Sequence, residues 1–226
     1  MIKIDLHTHT SDDPADRIPH SAAELIERAS ALGYGALAIT LHNRWWDPAP
    51  LTDFAAARGL VLLPAVERSV SGRHVLLINV GRDAERVRTF EDLAAFKASS
   101  PGLVVAPHPF YPVGSSLGRA LLDRHAGIFD AVEISALHVR GLSFNRRAAV
   151  WAREHGKPLV GNADLHRLDQ LDCTYSLVDA TPDADDICRA VRAGRVEVRT
   201  RPLRWGEAAW IAARMIAAGA RRSRRR

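Results

Sequence analysis

Short apolar runs alternate with amphipathic stretches along most of this chain. The apolar runs are typical of buried strands, and they lie at 2–6, 36–40, 61–65, 74–80, 103–106, 131–135, 158–161 and 175–178. Apolar residues at helical spacing predict helices at 21–32, 90–98, 117–124, 147–155 and 184–193. Ser21 followed by Glu24 has the pattern of a capping box at the start of the first helix. This alternation predicts parallel βαβ units within an α/β fold.

The number of units fits a (β/α) barrel better than a small open sheet, although a doubly wound sheet satisfies the same alternation. The 226 residues, of which 47% are hydrophobic, suit one large core, so we expect a single domain over residues 1–200. The sequence pattern predicts an apolar helix over residues 205–219, which an arginine tail follows. We therefore separate 201–226 as a C-terminal extension.

The net charge of +5 comes from the tail, because without the arginines of RRSRRR the basic residues only balance the 26 acidic ones. The body carries no basic stripe of the kind that binds nucleic acid. Cys173 and Cys188 fit neither a zinc ribbon nor a disulfide framework. The chain has no leader pattern and no apolar run of the ~18 residues that a membrane span needs, so we expect a cytoplasmic protein.

Histidines and acids gather at the ends of the predicted strands. His7 and His9 follow the first strand, and alternate residues of a strand point to the same side. The set also includes His42, Glu67, His108, Asp164 and His166, which follow predicted strands, as well as His74, which begins one, and Glu133, which lies within one. Because the carboxyl ends of parallel strands meet at one face, these side chains are expected to converge. Neutral imidazole and carboxylate together indicate a site for divalent metal ions.

Other histidines have a simpler interpretation. His20, His125 and His155 are more often surface or core residues than ligands, and the last two lie near predicted helix C-termini, where a histidine is favourable. Glu133 has the alternative of a buried structural acid. For His138 both interpretations stay open.

With these residues identified, the chain resembles the PHP (polymerase and histidinol phosphatase) family. The motifs DLHTHT, AITLHN, AVERS, APHPF and GNADLH occur in order over about residues 3–180. The resemblance implies a distorted (β/α)7, TIM-like barrel that holds two or three divalent ions, Zn, Mn or Fe. The implied ligands are His7, His9, Glu67 and Asp164 for a first ion, His42, His166 and a loop acid for a second, and Glu67, His74 and His108 for a third.

The sequence departs from the family pattern at two places. The usual SDG element is replaced by SDDP, and among the acids of this loop we favour Asp13 as the ligand, then Asp12, then Asp16. The acid that often precedes the second-motif histidine is replaced by Leu41. The orientation of His42 must then depend on another hydrogen-bond acceptor.

The resemblance implies hydrolysis of a small phosphomonoester or nucleotide phosphate by a metal-bridged water or hydroxide, since coordination lowers the pKa of water from ~16 towards 7. His138 is a candidate proton donor for the leaving group. Arg140, then Arg44 and Arg167, are candidates for binding the phosphate, because a guanidinium suits phosphate oxygens.

Three alternatives remain. The first is a PHP-type exonuclease on DNA or RNA ends, and the second is a noncatalytic metal-binding regulatory module with the C-terminal helix as its interaction surface. The third is an amidohydrolase, but such barrels usually add a metal-bridging lysine at the end of a later strand. Lysine occurs only at positions 3, 97 and 157, and Lys157 precedes its predicted strand.

Overall fold

The computed structural model describes residues 1–206 and 208, in which strands and helices alternate largely as predicted. The strands are β1 (Ile2–Thr8), β2 (Ala36–Ile39), β3 (Val61–Leu63), β4 (Ala65–Val70), β5 (Arg73–Ile78), β6 (Leu103–Ala106), β7 (Ala131–Ser135), β8 (Leu159–Asn162), β9 (Thr174–Val178) and β10 (Val196–Thr200). The helices are α1 (Ala22–Ala31), α2 (Thr52–Ala56), α3 (Phe90–Ser99), α4 (Gly118–Arg124), α5 (Asn145–Glu154) and α6 (Ala184–Arg192), with 3-10 turns at Ala49–Leu51, Arg82–Arg86 and Leu168–Gln170.

The first helix begins where the sequence predicts it. The Ser21 side chain accepts a hydrogen bond from the backbone N–H of Glu24 at 3.2 Å, and the Glu24 carboxylate accepts one from the backbone N–H of Ser21 at 2.8 Å. The predicted capping box is thereby confirmed. The apolar face of α1 buries Leu25 and Ile26 against the outer side of β2.

The strands form two five-stranded sheets, in the orders β10-β9-β1-β2-β3 and β4-β5-β6-β7-β8. The pairs β1-β2, β2-β3, β6-β7 and β7-β8 are parallel, as predicted. The pairs β4-β5, β5-β6, β1-β9 and β9-β10 are antiparallel. The α/β class and the parallel units are therefore confirmed, and antiparallel pairs accompany them in both sheets.

The hairpin of β4 and β5 accounts for one of these antiparallel pairs. Only Ser71 and Gly72 connect the two strands, with φ of +47° and +78°, and a connection this short can join only antiparallel neighbours. The sequence analysis ended a strand at 65 and placed Glu67 after it. In the structure Pro64 separates β3 from β4, and Glu67 lies inside β4.

The two sheets meet through single bridges, and in the described residues no continuous ladder closes them into the barrel implied by the resemblance. On the β4 side of the second sheet Glu67 bridges His42, and beyond its β8 side Leu165 bridges Thr8 of the central strand β1. The backbone N–H of Leu165 donates to the His7 carbonyl at 3.3 Å, and the N–H of His9 donates to the Leu165 carbonyl at 3.1 Å. These contacts place proposed metal ligands where the sheets join.

The apolar core has layers on both sides of each sheet. Ile4, Leu6, Leu76 and Val105 belong to a layer shared by the two sheets, and α6 adds Ile187 to it. The outer layers hold α1 on one sheet and the helices α3, α4 and α5 on the other. Because both faces are covered, central strands such as β2 and β7 are buried along their whole length.

The C-terminal extension is described only at its start. Val139 bridges Leu203, and the N–H of Ala208 donates to the Arg204 carbonyl at 3.0 Å. Most of the predicted helix at 205–219, and the arginine tail, lie outside the described residues. Among the residues that are described, no helix is long and apolar enough to cross a membrane.

Candidate metal centre

Four side chains converge where β1 ends and the segment after β8 begins. The Nε2 atom of His7 lies 3.4 Å from Asp164 Oδ1 and 3.6 Å from Glu67 Oε1. The Nε2 atom of His9 lies 3.5 Å from Asp164 Oδ1 and 3.6 Å from Glu67 Oε2. Ligand atoms arranged tetrahedrally at about 2.1 Å from an ion are about 3.4 Å apart, so the spacing suits one divalent cation.

The hydrogen bonding of these atoms supports the same conclusion. Within the described part of the chain, Nε2 of His7, Nε2 of His9 and both carboxylate oxygens of Glu67 are buried without a hydrogen-bond partner. Buried polar atoms are normally paired, because each unpaired one costs about 1–3 kcal/mol. Since these unpaired atoms are the ones that face one another, the donor set fits a metal ion.

Glu67 also faces a second group of histidines. Its Oε1 lies 2.5 Å from His74 Nδ1 and 3.5 Å from His108 Nε2, while its Oε2 lies 3.1 Å from His42 Nε2. His74 reaches this carboxylate because it pairs with Ser69 on the neighbouring strand, which puts its side chain on the same face as that of Glu67. Besides His7, His9 and Asp164, two further sets in the described residues have the spacing of metal ligands: His42, Glu67 and His74, and His9, Asp13 and His42.

The loop after β1 contributes two acids with different surroundings. Asp13 is buried, and its Oδ2 lies 2.9 Å from both His9 Nδ1 and His42 Nδ1 and accepts the backbone N–H of His42 at 3.0 Å. Asp16 Oδ2 lies 3.3 Å from His166 Nε2 and 3.9 Å from His42 Nδ1. Asp12 is exposed. Asp13 is thus the acceptor that orients His42 in a chain with leucine at position 41.

Opposite charges shift the pKa values throughout the cluster. Burial opposes ionisation of Glu67, but His74, His42 and His7 outweigh it and hold the pKa of this carboxylate well below its ordinary range. The pKa of Asp164 is lowered in the same way by His7 and His9. Burial also lowers the pKa of His42, yet Glu67 and Asp13 overcome it and raise it to about 9.

The backbone is unusual at three positions of the site. His108, Asp164 and Asn43, which follows His42, have φ of +30°, +48° and +58°. Non-glycine residues rarely adopt positive φ, and such backbones cluster at functional sites where surrounding contacts hold them. The sequence carries no sign of this conformation.

The four predicted catalytic and phosphate-binding residues lie in exposed or half-buried loops. His138 is half-buried, and its Nδ1 lies 3.5 Å from Asn145 Nδ2. Arg140 is exposed two residues later. Arg167 makes two hydrogen bonds to Asp169, at 2.9 and 2.8 Å, and Arg44 donates to the backbone carbonyl of Asp12 at 3.4 Å.

Sequence reasoning included Glu133 in the converging set, with a buried structural acid as the alternative, and it did not single out Asp5; both are fully buried in the structure. Glu133 Oε2 lies 2.8 Å from His7 Nδ1, and Asp5 accepts the backbone N–H of His7 at 3.0 Å. Glu133 stands out in the sequence as a charged residue within the apolar run AVEIS. A buried charge of this kind is almost always paired, and that was the available signal.

Several solved structures have a fold similar to that of this chain. A two-domain protein from Bacteroides vulgatus ATCC 8482, described as containing a predicted PHP-like metal-dependent phosphoesterase, is 16% identical with a TM-score of 0.68, over 88% of this chain and 65% of that one. PsfC from Pseudomonas syringae PB-5123 is 18% identical with a TM-score of 0.69, over 97% and 98%. The lesion-specific endonuclease PfuEndoQ from Pyrococcus furiosus is 16% identical with a TM-score of 0.56, over 87% and 57%.

This chain thus spans 65% of the length of the Bacteroides protein, and at these identities the likeness concerns the fold. No curated protein matches it in sequence. A family model described as PHP-associated matches residues 143–196. The matched segment carries Asp164 and His166, which lie beside His7, His9 and Asp16. The segment that is similar to the PHP-associated family therefore includes part of the candidate metal centre.

Proposed function

We propose that this chain is a metal-dependent phosphoester hydrolase that acts on a small phosphomonoester or a nucleotide phosphate. The observation that carries the proposal is the set of buried, unpaired donor atoms on His7, His9 and Glu67, which face Asp164. Mixed nitrogen and oxygen donors suit Zn, Mn or Fe. Ions held there would supply Lewis acidity, which stabilises charge on phosphoryl oxygens and acidifies water.

The proposed ligands fall into three groups, the first two of which share Glu67. His7, His9, Glu67 and Asp164 would hold one ion, and Glu67, His74 and His108 would hold another. His42 and His166 would hold a further ion with a loop acid. Glu67 suits the shared position because each of its two oxygens faces different histidines.

The remaining proposed roles concern the substrate. If Asn145 donates its amide N–H to Nδ1 of His138, the proton of this imidazole lies on Nε2, from which it can pass to the leaving group. Arg140 is the first choice for the phosphate because it is exposed beside this histidine. Arg167 is already engaged by Asp169, so we place it after Arg44.

Hydrolysis is tested with Asp164→Ala. The variant is expected to hold less metal and to lose at least about a hundredfold in turnover, because this carboxylate faces both Nε2 atoms of the first group. Metal content and turnover would be measured on phosphorylated metabolites and nucleotides, with Zn, Mn and Fe in turn. Unchanged turnover in the metal-depleted variant would contradict the proposal, and metal binding without any turnover would favour a noncatalytic module.

A nuclease is the second candidate, because the fold is similar to that of an endonuclease. The same panel would include single-stranded DNA at rising salt concentration. Activity on DNA that falls steeply with salt, without activity on small esters, would reverse the ranking.

The loop ligand is tested by comparing two matched variants. Asp13 accepts five N–H groups: those of His9, His42 (ring and backbone), Ala15 and Asp16, which fill the lone pairs of a carboxylate. We therefore now favour Asp16 over Asp13 as the ligand. Asp16→Asn is expected to lower metal stoichiometry by one ion and to keep the melting temperature of the metal-free chain, whereas Asp13→Asn is expected to lower the melting temperature of the metal-free chain. The reverse pattern would restore Asp13 as the ligand.

A further inference from the structure

Glu133 lies inside β7 and is fully buried among three donors. Its Oε2 lies 2.8 Å from His7 Nδ1 and accepts the side-chain N–H of Asn162 at 3.0 Å. Its Oε1 accepts the backbone N–H of His108 at 3.1 Å. One carboxylate therefore contacts two of the proposed ligands, His7 and His108, which belong to the two different groups.

The contact with His7 sets the state of its ring. An imidazole that donates Nδ1–H to a carboxylate keeps the lone pair on Nε2. The Nε2 atom of His7 is the buried, unpaired atom that faces Asp164 and Glu67. Without the acceptor, the ring could rotate or adopt the other tautomer, and its lone pair would no longer face these carboxylates.

The contact with His108 holds a strained backbone. His108 has φ of +30°, and its N–H is bound by Glu133. A residue in a sparsely populated conformation persists only when its surroundings hold it there. The hydrogen bond thus keeps the ring of His108 on the side of Glu67, 3.5 Å from Oε1.

Asn162 holds Glu133 in turn. Its side-chain oxygen accepts the backbone N–H of Leu6 at 3.0 Å, while its N–H donates to Glu133. The carboxylate is therefore tied to β1 and β8 as well as to its own strand. A buried carboxylate held by three donors is pre-organised rather than free to relax.

From these contacts we infer that Glu133 is a positioning residue of the metal centre. It fixes His7 in the Nδ1-protonated form and holds His108 beside Glu67, so that both rings present Nε2 to the ions. The inference rests on the proposed metal binding. It assigns Glu133 no contact with an ion or a substrate.

The test uses Glu133→Gln with zinc as the probe. The amide has the shape of the carboxylate, but its NH2 group opposes the donors that now bind to oxygen, so it cannot satisfy all three. Zinc affinity, measured by competition with a chelator, is expected to fall about 10–100-fold. Nitrogen-15 NMR of the ring of His7 is expected to show loss of the Nδ1–H tautomer, a change that a purely structural role would not cause.

Asp5→Asn is the matched control. Asp5 is equally buried and accepts backbone N–H groups of His7 and Ala163, at 3.0 and 3.1 Å, but it hydrogen-bonds no imidazole. This variant is expected to unfold at a lower temperature, with zinc affinity within about threefold of the wild type.

Glu133→Asp keeps the charge and draws the oxygens back from His7, so it is expected to weaken zinc binding even if the amide variant does not fold. The inference would be overturned if either Glu133 variant folds and keeps both the zinc affinity of the wild type and the Nδ1–H tautomer of His7. A wild-type chain that binds no zinc, manganese or iron would instead contradict the proposed metal function.

Discussion

Glu67→Gln is expected to lose at least about a thousandfold in phosphoesterase turnover, or about 4 kcal/mol of transition-state stabilisation. Both oxygens of Glu67 are buried, unpaired and directed at histidines of the two groups. A neutral amide cannot balance the charge of two cations, and its NH2 group would face the ring nitrogen atoms. The variant is therefore also expected to hold fewer ions, as measured by elemental analysis after dialysis.

Glu27→Gln provides the control for this substitution. Glu27 is exposed on α1 and lies 3.4 Å from Arg58, outside the metal centre. Its loss is expected to leave turnover and metal content unchanged, because exposed ion pairs contribute about 0–1 kcal/mol. If Glu67→Gln keeps the metal content of the wild type and a turnover within tenfold of it, the carboxylate of Glu67 does not bridge ions.

The metal-free and metal-loaded chains are expected to respond to pH in opposite directions. In the metal-free chain the pKa of His42 is raised to about 9, because Glu67 and Asp13 outweigh the effect of burial. The stabilisation from protonated His42 is therefore complete below its unfolded pKa of about 6.5 and is lost as pH rises through 9. The pKa values of His7, His108 and His166 are raised as well.

In the metal-loaded chain, stability is expected to rise with pH. Imidazole must be deprotonated to bind an ion, and competition from protons weakens as pH rises. At a free metal concentration a thousandfold above Kd, the ions add about 4 kcal/mol to the free energy of unfolding. For a chain of this size that is a rise of about 10 °C in melting temperature.

The measurement is the melting temperature from pH 6 to 9, with chelator and with zinc. The difference between the two curves is expected to widen as pH rises. Parallel curves would mean that the histidine and carboxylate cluster does not bind the ions, and a metal-free chain that gains stability towards pH 9 would contradict the raised pKa of His42.

Local signals in the sequence account for most of the elements. The capping box at Ser21 and Glu24 fixed the start of α1, and the runs LVVA and AVEIS gave β6 and β7 with their observed bounds. The strand β4 was missed because Glu67 and Arg68 interrupt its apolar pattern. Both are nevertheless buried, since Glu67 faces histidines and Arg68 donates to the Val87 carbonyl at 2.8 and 2.9 Å.

Pairing direction was not accessible from composition or periodicity. The strand β10 has the sequence VEVRT, which alternates in the way of a half-exposed edge strand, and it pairs antiparallel to β9. A period of two is the same for parallel and antiparallel neighbours, so the pattern cannot distinguish them. The connections and the packing of the helices decide the direction.

For the candidate metal centre, too, the sequence accounts for some features and the tertiary structure for others. The sequence by itself determined which residues gather, because strand ends and alternation place His7, His9, His42, His108, Asp164 and His166 at one end of the fold. Only the tertiary structure decided which atom of each side chain faces the centre. Glu133 accepts a hydrogen bond from Nδ1 of His7, and Asp13 accepts one from Nδ1 of His9. The Nε2 atom of each ring is thereby directed towards Glu67. His7 and Glu133 are 126 positions apart, and a contact at that separation depends on how the sheets pack rather than on any local pattern.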